Sequence, residues 1–431
     1  MNVIPRDQHN ISRKNISEGA LKVMSRLRSQ GHQAYLVGGA VRDLLLGGHP
    51  KDFDIATDAT PEAVNDLFRN SRIIGRRFRI VHVRFGREII EVTTFRGHHD
   101  SGSGDTGQSE NSGNHSRQSA SGLLLRDNVY GTLEEDAMRR DLTVNALYYD
   151  SGKFEIFDHA DGLRDLEGRK IRIIGDPEQR YTEDPVRMLR VLRFAARLDF
   201  TIENDTAAAI PRCGHLLAEI PAARLFDEFL KLFLSGSAAK TLAKLLEFDI
   251  LRYLFPETCV CLQQDPESLA LIQAAMENTD QRISVSKPVT PAFILAALLW
   301  PVVSQDSRRL ENEGDAPMVA MNSAGHSAIT NAVQHISIPR RFSQPMREIW
   351  EFQLRLQRKT GRKAAELVEH RRFRAAYDFL LLREQAGADT GDLGAWWTEL
   401  QTLTQEQRLE KVASGRSRPK RNRTRRSTPA A

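Results

Sequence analysis

The segment Leu36-Val-Gly-Gly-Ala-Val-Arg-Asp43, with Lys51-Asp-Phe-Asp-Ile-Ala-Thr57 a few residues on, constrains this chain more than any other stretch. It reads as a strand, a glycine turn, a short helix, and a second strand with two carboxylates one residue apart. Alternate residues of a strand share a face, so Asp52 and Asp54 project together while Phe53 and Ile55 point into a core. Two such carboxylates, their Cα atoms roughly 7 Å apart, can close on a pair of Mg²⁺ ions about 3.5–4 Å apart. Gly38-Gly39 precedes a helix, where bare N–H groups and the helix dipole favour phosphate. A phosphate cradle beside a metal clamp is the equipment of nucleotidyl transfer.

Around this unit, residues 18 to 96 alternate helical and strand patterns. Helices are expected at Glu18–Gln30, at Ala40–Leu46 and from Pro61 to about Phe68, Pro61 suiting a first turn. A strand is expected at Tyr35–Val37. Two β-rich runs, Phe78–Phe85 and Glu88–Phe95, flank Gly86-Arg87 and read as a hairpin. From His98 to Gly122 the composition collapses into small and polar residues, which predicts a mobile insertion. Beyond residue 183 helical periodicity dominates. Residues 301–320, polar and proline-bearing, read as a loop after a buried helix ending at Trp300. The stretch 345–400 reads as amphipathic helices, and residues after 404 as disordered.

Composition narrows the class. Forty per cent hydrophobic and 27 per cent charged residues are ordinary for a soluble globular chain. No run approaches the ~18 apolar residues of a membrane span, the N-terminus lacks a signal-peptide pattern, and a cytoplasmic location is expected. Cys213, Cys259 and Cys261 make neither a zinc pattern nor an even disulfide set. The net charge of +5 is a property of one segment: Arg416, Arg418, Lys420, Arg421, Arg423, Arg425 and Arg426 carry seven positive charges, and without them the chain is at −2. Such a run suits sequence-independent phosphate contacts, so these seven are candidate RNA-binding residues.

Two candidates exist for a third active-site carboxylate. Glu91 lies on a strand expected beside the Asp pair, and Asp141 follows Arg139-Arg140, which can grip a triphosphate. Further on, Glu183-Asp184-Pro185-Val186-Arg187 has the form of a helix start, with Asp184 and Arg187 three apart on one face. A carboxylate accepts the exocyclic amine of adenine or cytosine while a guanidinium donates to the neighbouring ring nitrogen. That pair points to A or C and does not choose between them.

The strand–GG–helix–strand–DxD order resembles the polymerase β nucleotidyltransferase superfamily. Within it, the chain is similar to the family shared by CCA-adding tRNA nucleotidyltransferases and bacterial poly(A) polymerases. The resemblance identifies Arg139-Arg140-Asp141 as the RRD element of the active site and Glu183–Arg187 as the base-selecting EDxxR element. It implies nucleotide binding by Gly38, Gly39, Arg42, Arg139, Arg140, Asp184, Arg187 and Arg190, catalysis by Asp52, Asp54 and Asp141, and metal binding by Asp52 and Asp54. Asp158-His-Ala-Asp-Gly-Leu-Arg-Asp-Leu166 resembles the linker after the catalytic head, with Asp161 where a glycine is usual. Pro221–Glu228 resembles a neck element in which Arg224 and Glu228 brace helices. Ile73-Ile-Gly-Arg-Arg-Phe-Arg-Ile-Val-His-Val83, inside a run of seven arginines, and the basic tail resemble the poly(A) polymerase branch.

The implied fold is α+β. A nucleotidyltransferase head with a mixed sheet (residues 1–156, insertion 98–122) precedes an all-α neck (157–260), an all-α RNA-binding body (261–403) and a disordered arginine-rich tail (404–431). The implied function is template-independent polyadenylation of RNA 3′ ends from ATP with two Mg²⁺ ions, in mRNA processing and decay, with RNA-decay protein partners reached through the tail. CCA addition to tRNA is the alternative enzyme, and a non-catalytic RNA-binding protein the alternative of another class.

Overall fold

The strand carrying Asp54 lies in the middle of an eight-stranded mixed sheet. A computed structural model describes residues 1–75, 79–97, 117–118, 124–126 and 129–414. The sheet strands are β1 Asn2–Ile4, β2 Ala34–Val37, β3 Asp54–Thr57, β4 Ser71–Ile74, β5 Ile80–Phe85, β6 Glu88–Thr94, β7 Leu147–Asp150 and β8 Glu155–Asp158. Their spatial order is β1-β8-β7-β2-β3-β6-β5-β4. β3 runs antiparallel to β2, with Asp54 opposite Val37, and parallel to β6, with Asp54 opposite Glu91. The β5–β6 hairpin turns at Gly86 (φ 62°) with Phe85 opposite Glu88, a two-residue loop that needs positive φ at its first position.

Helices around the sheet start where the sequence supplies caps. Ser17 Oγ accepts the Ala20 N–H at the head of α1 (Glu18–Ser29), and Thr60 caps α3 (Pro61–Leu67), with Pro61 in its first turn. Between them α2 (Gly39–Leu45) follows Gly38, whose φ of 74° is open to glycine alone at little strain. Thr132 and Glu135 form a reciprocal capping box on α4 (Leu133–Arg139). Ala137 of α4 packs into a buried cluster with Val37, Ala56, Phe95 and Tyr148, which fixes the residues that follow it against the site end of the sheet. Then come α5 (Gly162–Glu167), α6 (Pro177–Glu183) and α7 (Val186–Leu198).

The chain separates into two compact units, residues 1–220 with 243–250, and residues 221–242 with the chain from 251 onward. The first holds the sheet and α1–α7. The second includes α8 (Pro266–Ser284), α9 (Pro291–Asn312), α10 (Pro317–Ala332), α11 (Arg340–Arg355), α12 (Arg362–Leu367), α13 (Phe373–Gln385), α14 (Leu393–Thr402) and α15 (Gln405–Ser414). No described helix is long and apolar enough to cross a membrane.

Four local expectations need correction. Residues 301–320 are not a loop: α9 continues through Pro301 to Asn312, and α10 begins at Pro317. Proline withholds one N–H from a helix, but here Pro301, Val302 and Val303 are buried. Neighbouring carbonyls take side-chain donors, Trp350 Nε1 to Ala296 O at 3.1 Å and Thr258 Oγ1 to Leu298 O at 2.9 Å. Residues 405–414, expected to be disordered, form α15. Val412 is buried, Gly361 N–H reaches Val412 O, and Lys411 and Arg408 pair with Glu399 and Glu369. Tertiary contacts hold a segment that composition alone leaves unfolded. Within the 98–122 insertion, Arg117–Gln118 pairs with Leu124–Arg126, and residues 98–116 and 119–122 lie outside the described residues. Asp52, lastly, precedes β3, which begins at Asp54. The alternation holds all the same, with Phe53 and Ile55 buried, Asp52 exposed and Asp54 half-buried.

Candidate active site

Every candidate before residue 191 belongs to the first unit. β2 and β3 set the frame: Val37 is opposite Asp54, so the chain turns at Gly38 beside the Asp54 carboxylate. A Cβ built on Gly38 would lie 3.6 Å from Arg140 Nη1. Gly38, Asp54 and Arg140 therefore meet at one end of the sheet.

Burial, then the Glu91 carboxylate, push the Asp54 carboxyl up to about 6; Arg140 opposes this and Asp52 adds to it. A half-buried acid beside two others is a site short of positive charge. Its donors are all carboxylate oxygens, the set that suits Mg²⁺. Among the described residues no three His, Cys, Asp or Glu side chains converge as a ready metal cage. Mg²⁺ commonly keeps water and substrate phosphate oxygens in its shell, which a two-carboxylate site permits. The carboxylate aligned with Asp54 is Glu91, its register partner, which also meets His82 Nε2 at 3.2 Å.

Asp141 stands differently. Its Oδ2 accepts Arg190 Nε at 2.5 Å, and its Oδ1 accepts the Leu142 N–H at 2.8 Å and Asn145 Nδ2 at 3.4 Å. Burial alone would raise its pKa, but the Arg190 charge and these hydrogen bonds outweigh it and hold the carboxyl down at about 2.

The arginines divide into braces and a cationic cluster. Arg42 is 2% exposed; its guanidinium donates to Asp43 Oδ1 and to Asn145 Oδ1 and lies 5.0 Å from the Phe194 ring centre. Arg140 donates to Tyr148 Oη at 2.8 Å and to Asp136 Oδ2 at 3.1 Å, and the Tyr148 hydroxyl donates to the same Asp136 oxygen. Arg139 donates to Gly97 O. Its pKa is pushed down to about 10 by burial first, then by the nearby charges of Arg96, Arg180 and Arg187. Arg180 donates to the carbonyls of Arg139 and Arg140, tying α6 to the RRD element, and pairs with Glu183 at 2.8 Å. Arg187 also pairs with Glu183 at 2.8 Å, and donates to Arg180 O. Arg187 is thus held by Glu183, while Asp184 closes the end of α6 with its own backbone. Arg139 and Arg180, buried and crowded by other guanidiniums, are both held below the ordinary arginine range, which makes this a place where an anion is stabilised.

Downstream, Asp161 adopts the left-handed conformation (φ 56°, ψ 30°) that a glycine usually fills, a region aspartate tolerates. Gly162 is the position that needs glycine, since a Cβ there would sit 2.2 Å from Thr143 O. Asp158 accepts the N–H groups of Ala160, Gly162 and Leu163, organising the turn. Glu228 is buried, and Lys231 Nζ meets it at 2.7 Å.

Sequence reasoning missed Asp136, Tyr148 and Asn145, which hold Arg140 and Arg42, and Arg180, which ties α6 to Arg139 and Arg140. Asp136 stands four residues before Arg140, a legible helical spacing. Tyr148 follows Arg140 by eight residues, a spacing that signals nothing by itself, and Asn145 and Arg180 reach their partners from distant segments. Arg416, Arg418, Lys420, Arg421, Arg423, Arg425 and Arg426 lie outside the described residues.

Three family models match the chain: the poly A polymerase head domain at residues 34–172, a probable RNA and SrmB-binding site of polymerase A at 199–262, and the polymerase A arginine-rich C-terminus at 313–429. Poly(A) polymerase I of Salmonella typhimurium is 47% identical over 406 residues, 93% of this chain and 86% of that protein. A CCA-adding enzyme of Ligilactobacillus salivarius is 38% identical over 234 residues, 54% of each. The crystal structure of the Bacillus stearothermophilus CCA-adding enzyme in complex with CTP superposes with a TM-score of 0.59 at 26% identity, over 92% of this chain and 84% of that one.

Proposed function

The chain belongs to the poly(A) polymerase I family of nucleotidyltransferases, and from that membership we propose that it adds AMP from ATP to the 3′-hydroxyl of RNA with release of pyrophosphate. The observation that carries the choice of reaction is the reach of the sequence likeness: the poly(A) polymerase I match is 47% identical over 93% of the chain, the CCA-adding sequence match 38% over 54%. The site is chemically consistent with either.

In this reading Asp52 and Asp54 hold Mg²⁺. Two bound ions would acidify the 3′-hydroxyl and neutralise charge on the triphosphate and its leaving group. The high proton affinity of Asp54 in the bare protein falls once positive charge is beside it, so its carboxylate is ready at neutral pH. Glu91, in register with Asp54, supplies the third acidic group of the cluster. Asp141 acts by orienting Arg190.

Arg139 and Arg140, following the cap of α4, face the triphosphate, with the Gly38-Gly39 turn letting the backbone come close. Arg42, spent on Asp43 and Asn145, shapes that turn from beneath. Asp184 accepts the adenine amine and Arg187, held by Glu183, donates to the adjacent ring nitrogen. Transfer is a displacement at the α-phosphorus: the 3′-oxygen forms the new P–O bond as the bond to pyrophosphate breaks. Residues 157–260 and 261–403 serve as RNA-binding neck and body, and the basic tail adds RNA contacts and reaches RNA-decay proteins. The setting is mRNA processing and decay.

Purified protein with Mg²⁺, an end-labelled RNA and each nucleoside triphosphate in turn tests the reading. A long ladder with ATP alone is expected. Addition of CTP and ATP to a truncated tRNA with a stop after three nucleotides would replace it by the CCA-adding reading.

A further inference from the structure

Two guanidinium groups in the second unit, one largely buried and one exposed, form no ion pair among the described residues. Arg383 of α13 lies 4.8 Å over the Trp300 ring and donates to Gln353 Oε1 at 3.1 Å, while its buried Nε has no hydrogen-bond partner. Arg308 of α9, exposed, shares a cavity of about 280 Å³ with it. Neither forms an ion pair among the described residues, although their neighbours Arg309 and Arg282 do. None of the nearby acids forms an ion pair with them: Glu311 accepts Ser307 Oγ, Glu384, whose charge reaches Arg383, accepts the Thr390 hydroxyl and the Gly394 N–H, Asp265 caps α8, and Glu267 is an exposed residue on a smaller cavity that both arginines also line. Two arginines sharing a polar cavity, one largely buried, are costly unless an anion joins them.

The cavity is not isolated. It shares Pro317, Leu354 and Gln357 with a groove of about 1080 Å³ lined by Arg355, Arg358, Arg362 and Lys363. Arg355 and Arg362 are neutralised by Glu351 and Glu366. Arg358 and Lys363 are exposed and form no ion pair among the described residues. Arg383, Arg308, Arg358 and Lys363 thus make a track of positive charge that forms no ion pair among the described residues, with an aromatic ring at its buried end.

We propose that this track binds the backbone of single-stranded RNA, with the Arg308–Arg383 cavity as a phosphate subsite and the groove as its continuation. The inference rests on RNA being the substrate, as proposed above, and adds where on the second unit the strand is held. A forked guanidinium matches a phosphodiester, and basic grooves with stacking rings are how single strands are held without regard to sequence.

Binding of a fluorescent oligo(A) that spans the groove, measured against salt on the full-length protein, tests it. Arg308→Gln and the pair Arg358→Gln with Lys363→Gln are exposed changes, so circular dichroism should match the parent. Each should weaken oligo(A) binding about tenfold, the worth of a charged hydrogen bond, and flatten the salt slope by about 0.7 per phosphate released. Extension of a saturating short primer should keep its rate. Unchanged affinity and slope in both variants would overturn the proposal. So would inorganic phosphate stabilising the parent but not Arg308→Gln while oligo(A) affinity stays the same, which would make the cavity a free-anion site. Failure of the parent to extend any RNA would defeat the polyadenylation reading instead, and leave the binding comparison to decide the groove.

Discussion

Replacing Asp141 by Asn removes one charge and keeps the shape, and its cost follows from the site. In the folded chain the Asp141 carboxyl is held at about 2, against ~3.9 unfolded. At 1.36 kcal/mol per unit, its ionised form contributes roughly 2–3 kcal/mol at neutral pH. Because the folded pKa lies below the unfolded one, that contribution is fully present above pH ~4 and disappears as pH falls towards 2. Asp141→Asn should therefore destabilise the first unit by about 2–3 kcal/mol at pH 7, and by clearly less at pH 3. The four tryptophans, Trp300, Trp350, Trp396 and Trp397, all lie in the second unit, so indole fluorescence is the wrong probe. Hydrogen exchange of the Leu142 amide, which binds the Asp141 carboxylate, and of the Ile174 amide, which binds its carbonyl, reports the right region. A double-mutant cycle with Arg190→Gln should recover most of the loss as pairwise coupling. A coupling below about 0.5 kcal/mol, or a loss that does not shrink on acidification, would refute the claim that the Arg190 pair holds Asp141 in place.

Other outcomes follow from the same geometry. Asp52→Ala and Asp54→Ala should each cut nucleotide transfer on the order of 10³-fold or more with folding intact, and near-normal turnover in either would dismiss the metal assignment. Arg187→Ala should erode discrimination among ATP, CTP, GTP and UTP more than it raises the KM for ATP; unchanged selectivity would leave Arg187 a helix brace paired to Glu183. Gly162→Ala, whose Cβ would meet Thr143 O at 2.2 Å, should lower the melting temperature by several degrees, as a loss of about 1–3 kcal/mol does, whereas Asp161→Gly should be nearly neutral. Truncation after Ser414 should raise the KM for RNA and flatten the salt dependence of binding while sparing ATP affinity; identical RNA binding would assign the basic run to another role.

The frame of this protein follows from local sequence. Strand, Gly38 turn, helix and Asp54 strand are set by interactions a few residues apart: the period-two alternation, the positive φ that glycine permits, and the Ser17, Thr60 and Thr132 caps. Those local rules also placed the β5–β6 hairpin, while Arg139–Asp141 and Glu183–Arg187 were legible as motifs resembling those of a known family. The partners of those candidates come from how the chain packs. Long-range packing brings Arg190 to Asp141 and Asn145 to Arg42, the turn into β7 brings Tyr148 to Arg140, and parallel pairing gives Glu91, already expected on a neighbouring strand, its register opposite Asp54. It also overrode composition where composition misled. Pro301 stays inside a helix because the residues around it are buried, and residues 405–414 fold because Val412 finds a core. Local propensities amount to tenths of a kcal/mol per residue, whereas a buried side chain or a paired charge contributes about 1–3 kcal/mol. Burial and pairing therefore prevail, and both depend on partners that the neighbouring residues do not name.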